Sequence, residues 1–171
     1  MAAAALPEQT RCSPPRDPLE RFNAAPADEA RGTLLTCLRS LRWARRLADH
    51  RPYPDLDSLL AAADEAAYDL TPGDLAEALS GEYLPKLPDG TYSAAHTALS
   101  AAHAAYEARF GHVFVIYLGD TPAEETLDRA LEGIRSRLAN DPEEERVLTA
   151  EELRRLARGR LAARLGRGAG P

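Results

Sequence analysis

The sequence predicts an all-α protein: a single bundle of about eight helices with one short extended segment at residues 112–118. Most of the 171 residues lie in segments rich in Ala and Leu, where apolar residues recur every three or four positions. Typical helix-start and helix-end residues separate these segments. A single run, HVFVIYL, concentrates residues that favour extended backbone.

Composition narrows the classes of protein that fit this chain. Its length suits one domain with a real core, and we predict a disordered tail at 1–17, the domain at 18–165 and a frayed end at 166–171. The net charge of -6 argues against a nucleic-acid partner. No apolar run approaches the roughly 20 residues that cross a membrane. Cys12 and Cys37 form neither a disulfide framework nor a zinc pattern, which favours a reducing, cytoplasmic location.

The first half of the chain predicts five helices. Pro26 ends the first helix and begins the second, whose leucines keep a helical period as far as Leu41. Trp43 and Leu47 share a face of the third helix, and TPGD resembles a capping box at the start of the fifth. The five segments are PLERFNAAP, APADEARGTLLTCLRSL, RWARRLADHRPYP, DLDSLLAAADEAAYDL and DLAEALSGEYL.

The second half predicts three longer helices. The sixth predicted helix runs from a Ser93 cap to Gly111 and has the sequence SAAHTALSAAHAAYEARF. The seventh begins with Thr121 as its cap and has the sequence TPAEETLDRALEGIRSRLAN. The last helix, DPEEERVLTAEELRRLARGRLAARL, begins at Asp141. Acidic residues cluster at helix starts, where the helix dipole favours them, so we predict that Glu143–Glu145 cap the helix and form a solvated face.

The four histidines are the first candidates for chemistry. His96 and His103 are seven residues apart, which places them on nearly one helix face and about 10 Å apart along the axis. That separation is too large for one metal without other ligands, and no two histidines have the four-residue spacing of a helical zinc site. We therefore predict no metal. The face is either a half-buried boundary or a pocket wall that carries a proton donor.

The extended run raises a separate question, because a lone strand in a helical bundle leaves its backbone N–H and C=O groups without strand partners. One possibility is that it is a plain buried connector. The other is that its backbone binds a ligand. A cyclic ureide or a hydantoin-like molecule carries alternating donors and acceptors that such a backbone could recognise.

Two motifs carry a resemblance to a known family. YEARFGHVFVI, from Tyr106 to Ile116, fits the pattern Y-x-x-[KR]-F-G-x-x-F-[IV]-[IV], and RLANDPEEE, from Arg137 to Glu145, fits RLxNDPExE. With FNAAP, RWARRLADHRPYPDLDSLLAA and ELRRLARGRL in the same order, residues 19–165 resemble the 2-oxo-4-hydroxy-4-carboxy-5-ureidoimidazoline (OHCU) decarboxylase family. The resemblance implies an all-α, usually homodimeric enzyme that uses no cofactor. It also implies a small ureide-type substrate, decarboxylated to (S)-allantoin in urate breakdown.

The resemblance also implies site residues. In such enzymes the backbone of the F-[IV]-[IV] segment contacts the substrate ring, and a substrate-binding arginine lies near the chain end. Ser93 keeps the first position of the family's S-x-x-E-Q motif. The predicted substrate-binding residues are Phe114, Val115, Ile116, Arg160 and Ser93.

The sequence departs from the family at its catalytic residues. The family's catalytic histidine lies in an H-P-D-L motif, whose place here falls near Glu82 and holds no histidine. His96 stands where S-x-x-E-Q has its glutamate, unless that motif is deleted, and His103 stands where the family usually has asparagine. We predict His96 or His103 as a relocated acid, with Glu82 orienting the substrate.

Three functions remain open at this level. The first is OHCU decarboxylation, in which a histidine delivers a proton near neutral pH. The second is an enzyme of the same fold that acts on another ureide, a hydantoin or a β-keto acid. The third is a non-catalytic binding protein that kept the scaffold. A histidine that faces the 114–116 backbone across a cavity would favour an enzyme.

Overall fold

Eight α-helices carry most of the chain, which confirms the predicted all-α class. The computed structural model describes residues 17–87 and 89–166, so most of the predicted tail and frayed end lie outside the described residues. A short 3-10 helix, Ala123–Glu125, precedes the seventh helix. The helices are α1 Pro18–Ala24, α2 Ala27–Leu35, α3 Leu41–Asp49, α4 Leu56–Tyr68, α5 Pro72–Leu79, α6 Ser93–Phe110, α7 Thr126–Arg137 and α8 Pro142–Leu165.

Local signals set several helix ends as the sequence predicted. Thr71 and Asp74 form a capping box at the start of α5, and Asp141 and Glu144 form another at the start of α8. In each box the side chain of the first residue accepts a hydrogen bond from the backbone N–H of the second residue. The carboxylate of the second residue accepts in turn from the backbone N–H of the first. Gly111 ends α6 with a φ of 79°, a left-handed conformation that glycine adopts without strain.

Several predicted helix boundaries are wrong. Ser93 does not cap α6, because the cap position is Tyr92 and its side chain makes no capping hydrogen bond. The fifth helix, expected to continue to Leu84, ends at Leu79.

The helix expected to continue to Leu41 ends at Leu35, and α3 starts separately because the Ser40 hydroxyl accepts from the Trp43 N–H. Thr121 does not cap α7. Its hydroxyl donates to the Leu118 carbonyl in the preceding turn, and the 3-10 helix intervenes before α7 begins.

The helices enclose two hydrophobic cores. The first core joins α1–α5 to α8, and Trp43 is fully buried in it, with its indole N–H donating to the Ala63 carbonyl at 3.0 Å. The second core is smaller and lies between α6 and α7, where Tyr106 and Ile134 are fully buried. The chain between α6 and α7 is the extended segment, so this segment runs where the two cores meet.

The extended segment connects the cores through alternating side chains. Residues 113–118 form neither helix nor strand, and alternate residues of an extended chain point to opposite sides. Val113 and Val115 pack into the first core, whereas Phe114 and Ile116 pack into the second. This alternation explains why strand-forming residues occur in a helical protein.

A glycine on α7 allows the segment to lie close to that helix. A Cβ atom at Gly133 would lie 3.0 Å from Ile116 Cδ1 and 3.2 Å from Phe114 Cζ, closer than side-chain atoms normally pack. A larger residue at this position would therefore force the Ile116 and Phe114 side chains to shift.

A buried ion pair crosses the interface between the cores, and it corrects one prediction. Glu145, expected on a solvated face, is fully buried and accepts from Arg137 Nε at 2.8 Å and Nη2 at 2.5 Å. The Tyr106 hydroxyl and Asn140 Nδ2 also donate to its carboxylate. Arg137 Nη1 donates to the Val115 carbonyl at 2.6 Å, which fixes the extended segment. The two family motifs thus meet through Tyr106 and Glu145.

These contacts shift two pKa values in opposite directions. Burial by itself would raise the pKa of Glu145, but hydrogen bonds from Arg137, Tyr106 and Asn140 outweigh burial and hold it below the usual 4.5. Burial, together with the hydrogen bond to Glu145, raises the pKa of Tyr106 well above its usual value. The glutamate is therefore ionised in the folded protein, and the tyrosine is neutral.

Acid should weaken the fold through Glu145. Because its folded pKa lies below its unfolded value, its stabilisation is complete above pH 4.5 and is lost as the pH falls through the folded pKa. We expect urea denaturation at a series of pH values to show this fall. Glu145→Gln, which cannot titrate, should show a flatter pH dependence over the same range, and equal slopes for the two proteins would contradict the prediction.

Candidate active site

A cavity of about 650 Å³ lies beside the second half of the extended segment. Its walls come from five parts of the chain: residues 115–119 of the segment, the loop that follows α5, the end of α2, α8, and the turn that leads into α7, with Thr121 and Thr126. Glu82 and Lys86 line it from the loop, and Arg160 lines it from α8. A site of this size, with mixed polar and apolar walls and a few charged groups, suits a small polar ligand.

Glu82 and Arg160 form a bidentate ion pair in this cavity. Arg160 Nη1 donates to Glu82 Oε1 at 2.7 Å, and Nη2 donates to Oε2 at 2.8 Å. Arg160 Nη1 also donates to the Cys37 carbonyl at 3.1 Å. These hydrogen bonds to the Glu82 carboxylate raise the pKa of Arg160 above its usual value. Both residues were predicted site residues, and the fold brings them together.

The backbone beside the cavity is only partly engaged. The Phe114 N–H donates to His103 Nε2 at 3.2 Å, and the Tyr117 N–H donates to Glu152 Oε2 at 2.5 Å. Ile116, between them, has no backbone hydrogen bond to any residue that the structure describes, and Val115 has none through its N–H. Val115 and Ile116 both line the cavity, so these groups can meet a ligand.

Tyr117 shows how closely α8 approaches the segment. Its ring lies against α8 at Gly159, where an added Cβ would be 2.9 Å from the Tyr117 Cε2 atom. Gly159 precedes Arg160, so this close contact brings the guanidinium near the segment. A lone glycine in the last helix is the sequence signal for this approach.

The predicted histidines and Ser93 do not line this cavity. His96 and Ser93 are exposed, and the Ser93 carbonyl accepts from the Thr97 hydroxyl. His103 is half-buried, and its Nε2 is the acceptor for the Phe114 N–H, so this nitrogen carries no proton there. Their predicted roles therefore stay predictions.

A second cavity, of about 680 Å³, lies along the first half of the segment. His112 lines it, and the His112 Nδ1 atom lies 2.9 Å from the Val113 carbonyl. Glu82 lines both cavities and therefore lies where they adjoin. Neither His112 nor Lys86 was among the predicted site residues. His112 could have been selected as a site residue because it begins the extended run. Lys86 could have been selected because it is the only lysine in the sequence.

Residues 17–87 and 89–166 contain no group of three His, Cys, Asp or Glu side chains placed to hold a metal ion. Across the same residues, no helix combines the length and the apolar character needed to cross a membrane.

Comparison with known proteins gives consistent matches. The family model described as OHCU decarboxylase matches residues 23–89 and 84–162, two ranges that meet in the loop between α5 and α6. A crystal structure of (S)-allantoin synthase has a TM-score of 0.67 at 18% identity; the match covers 86% of this chain and 54% of that chain. A crystal structure of OHCU decarboxylase in the presence of (S)-allantoin also has a TM-score of 0.67, at 19% identity. That match covers 81% of this chain and 97% of that chain.

These matches differ in what they establish. No curated protein sequence matches the chain. The two solved structures share its fold, although the chain spans about half the length of the (S)-allantoin synthase. The family model covers residues 23–162 without a gap, including both motifs and the Glu82–Arg160 pair. The chain belongs to the OHCU decarboxylase family.

Proposed function

We propose that this protein decarboxylates 2-oxo-4-hydroxy-4-carboxy-5-ureidoimidazoline to (S)-allantoin without a cofactor, as a step of urate breakdown. The observation that carries the proposal is the cavity that Arg160 and Ile116 line together, where the Ile116 backbone has no hydrogen-bond partner among the described residues. A guanidinium can hold the substrate carboxylate through paired hydrogen bonds. The Ile116 N–H and C=O can bind the donors and acceptors of the ureide ring.

The reaction makes few demands on the protein. Loss of CO2 leaves a carbanion conjugated with a neighbouring carbonyl or imine, so the substrate itself accepts the electron pair. The protein must orient the carboxylate, stabilise the developing anion and deliver one proton to one face of the ring. Arg160 was predicted to hold the carboxylate, and the backbone of Phe114, Val115 and Ile116 was predicted to contact the substrate ring. The Phe114 N–H already donates to His103, so in this proposal the ring contacts come from the two residues that follow it.

The reaction also requires a proton donor beside the substrate ring. His96 and His103 were the predicted acids, but neither lines the cavity at Ile116. Either histidine would have to move toward the cavity in order to deliver a proton. Replacing each one with asparagine tests its role. Unchanged turnover in both variants would exclude both histidines as the donor.

The test of the function generates OHCU in solution and follows optical rotation. Spontaneous decay gives racemic allantoin, so the active protein should produce an excess of one hand. Arg160→Met should lower the enantioselective rate about 100-fold, because a positioned charge is lost from the transition state. Lys86→Gln, which removes the other lining cation, is the control and should keep most of the rate. Racemic product at the uncatalysed rate with the unaltered protein would disprove the function.

A specific observation supports the non-catalytic alternative. No histidine lines the cavity beside Ile116 among the described residues, and its arginine already has a carboxylate partner in Glu82. A binding protein that kept the scaffold would hold (S)-allantoin or another ureide with measurable affinity but would not change the rate of OHCU decay. An enzyme specific for another ureide, a hydantoin or a β-keto acid would act on that substrate and not on OHCU.

We further propose that the protein acts as a homodimer in the cytoplasm. The homodimer is proposed from the family. Light scattering of the purified protein should then give twice the 18.5 kDa mass of one chain. A single-chain mass at micromolar concentration would contradict the dimer.

A further inference from the structure

We propose that the substrate carboxylate replaces Glu82 on Arg160, and that Glu82, which takes up a proton when it is displaced, is the acid that protonates the carbanion. This inference rests on the proposed function. It assigns the missing proton donor to a residue already in the cavity. It also gives the Glu82–Arg160 pair a role during turnover.

The geometry of the pair leads to the exchange. Both Glu82 oxygens bind the two terminal nitrogens of Arg160, at 2.7 and 2.8 Å, which is how the guanidinium would hold a ligand carboxylate. The same Nη1 also donates to the Cys37 carbonyl. The paired donors of Arg160 are therefore occupied. A ligand carboxylate can use them only by displacing Glu82.

Burial then determines what happens to Glu82. Its side chain is 7% exposed, whereas that of Arg160 is 38% exposed, so a ligand can reach the arginine while the glutamate stays covered. A covered carboxylate that loses its cation is strongly disfavoured as an anion and takes up a proton instead.

The surroundings of Glu82 offer few substitutes for Arg160. In the first cavity the other titratable groups are Tyr83, Lys86 and Tyr117, of which only Lys86 is a cation at neutral pH. Lys86 is exposed. The second cavity, on the other side of Glu82, contributes Glu107, Arg109, His112 and Arg146. Arg109 donates to the Asn140 carbonyl and Arg146 pairs with Glu143, so both already have partners.

The step balances in atoms and charge. The bond between the ring carbon and the carboxylate breaks, CO2 leaves as a neutral molecule, and the electron pair stays on the ring carbon. The proton of the neutral Glu82 carboxyl moves to that carbon. Glu82 is then an anion again and returns to Arg160, which lost its partner when CO2 formed. Arg160 is thus paired with one carboxylate before the reaction and after it, and the proton consumed comes from solvent on binding.

Titration calorimetry of the full chain tests the exchange without any turnover. Hydantoin-5-acetate is a stable cyclic ureide with a carboxylate. Its binding should take up about one proton per ligand near neutral pH, measured as a difference in heat between buffers of unlike ionisation enthalpy. Binding of (S)-allantoin, which has no carboxylate, should take up none. Glu82→Gln should bind hydantoin-5-acetate without proton uptake. Binding to the unaltered protein without proton uptake would overturn the exchange.

Turnover tests the second half of the proposal. Glu82→Gln should lower the rate of OHCU decarboxylation by about 100-fold or more, the usual contribution of a positioned acid, while keeping affinity for hydantoin-5-acetate. Full turnover by this variant would overturn the role of Glu82 as the acid. Proton uptake by an unaltered protein that never converts OHCU would disprove the decarboxylase function and the acid role together, and would leave the exchange standing.

Discussion

Replacing Arg137 with methionine is expected to lower the free energy of unfolding by about 3–5 kcal/mol, because it leaves a buried carboxylate without its cation. Glu145 is completely buried, and Arg137 is its ion-pair partner. The substitution also removes the donor to the Val115 carbonyl, so the extended segment should loosen. Urea denaturation at neutral pH measures the loss.

Two further variants isolate the cause. Arg146→Met, on α8, breaks an ion pair with Glu143 whose side chains are both largely exposed, and it should leave stability unchanged within error. The double variant Arg137→Met with Glu145→Met removes both charges and should recover part of the loss, because no unpaired buried ion remains. A single variant as stable as the original protein would show that the pair does not stabilise the fold.

Replacing Phe114 with alanine is expected to cost about 3–5 kcal/mol, the usual range for removing a buried phenylalanine. Phe114 is fully buried in the second core, and the Arg137 guanidinium lies 4.7 Å from the centre of its ring. The variant would therefore lose both packing and a cation–π contact. Because the next two residues line the candidate active site, we also expect weaker ligand binding in variants that remain folded.

The matched control for Phe114→Ala is Tyr92→Ala. Tyr92 is 85% exposed, so removing its ring should change the free energy of unfolding by no more than about 0.5 kcal/mol. Thermal denaturation followed by circular dichroism compares the two variants directly. If both lose similar stability, the extended segment does not hold the two cores together as described.

The candidate site was only partly predictable. Arg160 and Glu82 could be selected singly, from the resemblance and from the place of a missing histidine, but their pairing could not. His96 and His103 were selected because histidine suits proton transfer. The helix face that carries them does not line the cavity at Ile116, and sequence spacing does not reveal which helix face meets which cavity.

The sequence by itself determined the helical class, the capped starts at Thr71 and Asp141, and the extended character of residues 112–118. These features depend on residues close together in the chain, where periodicity, caps and β-branched side chains act locally. The end of α2 and the starts of α6 and α7 were missed. The Thr121 hydroxyl, for example, donates to the Leu118 carbonyl in the preceding turn and does not cap α7.

Only the tertiary structure decided how the distant parts of the chain combine. Glu82 and Arg160 are 78 residues apart, yet they share one cavity, and Glu145 is buried although its neighbours Glu143 and Glu144 are exposed. Such outcomes depend on how the helices pack, because packing decides which polar groups lose water and which partners they then meet. That information is spread over segments far apart in the chain, and no local pattern contains it.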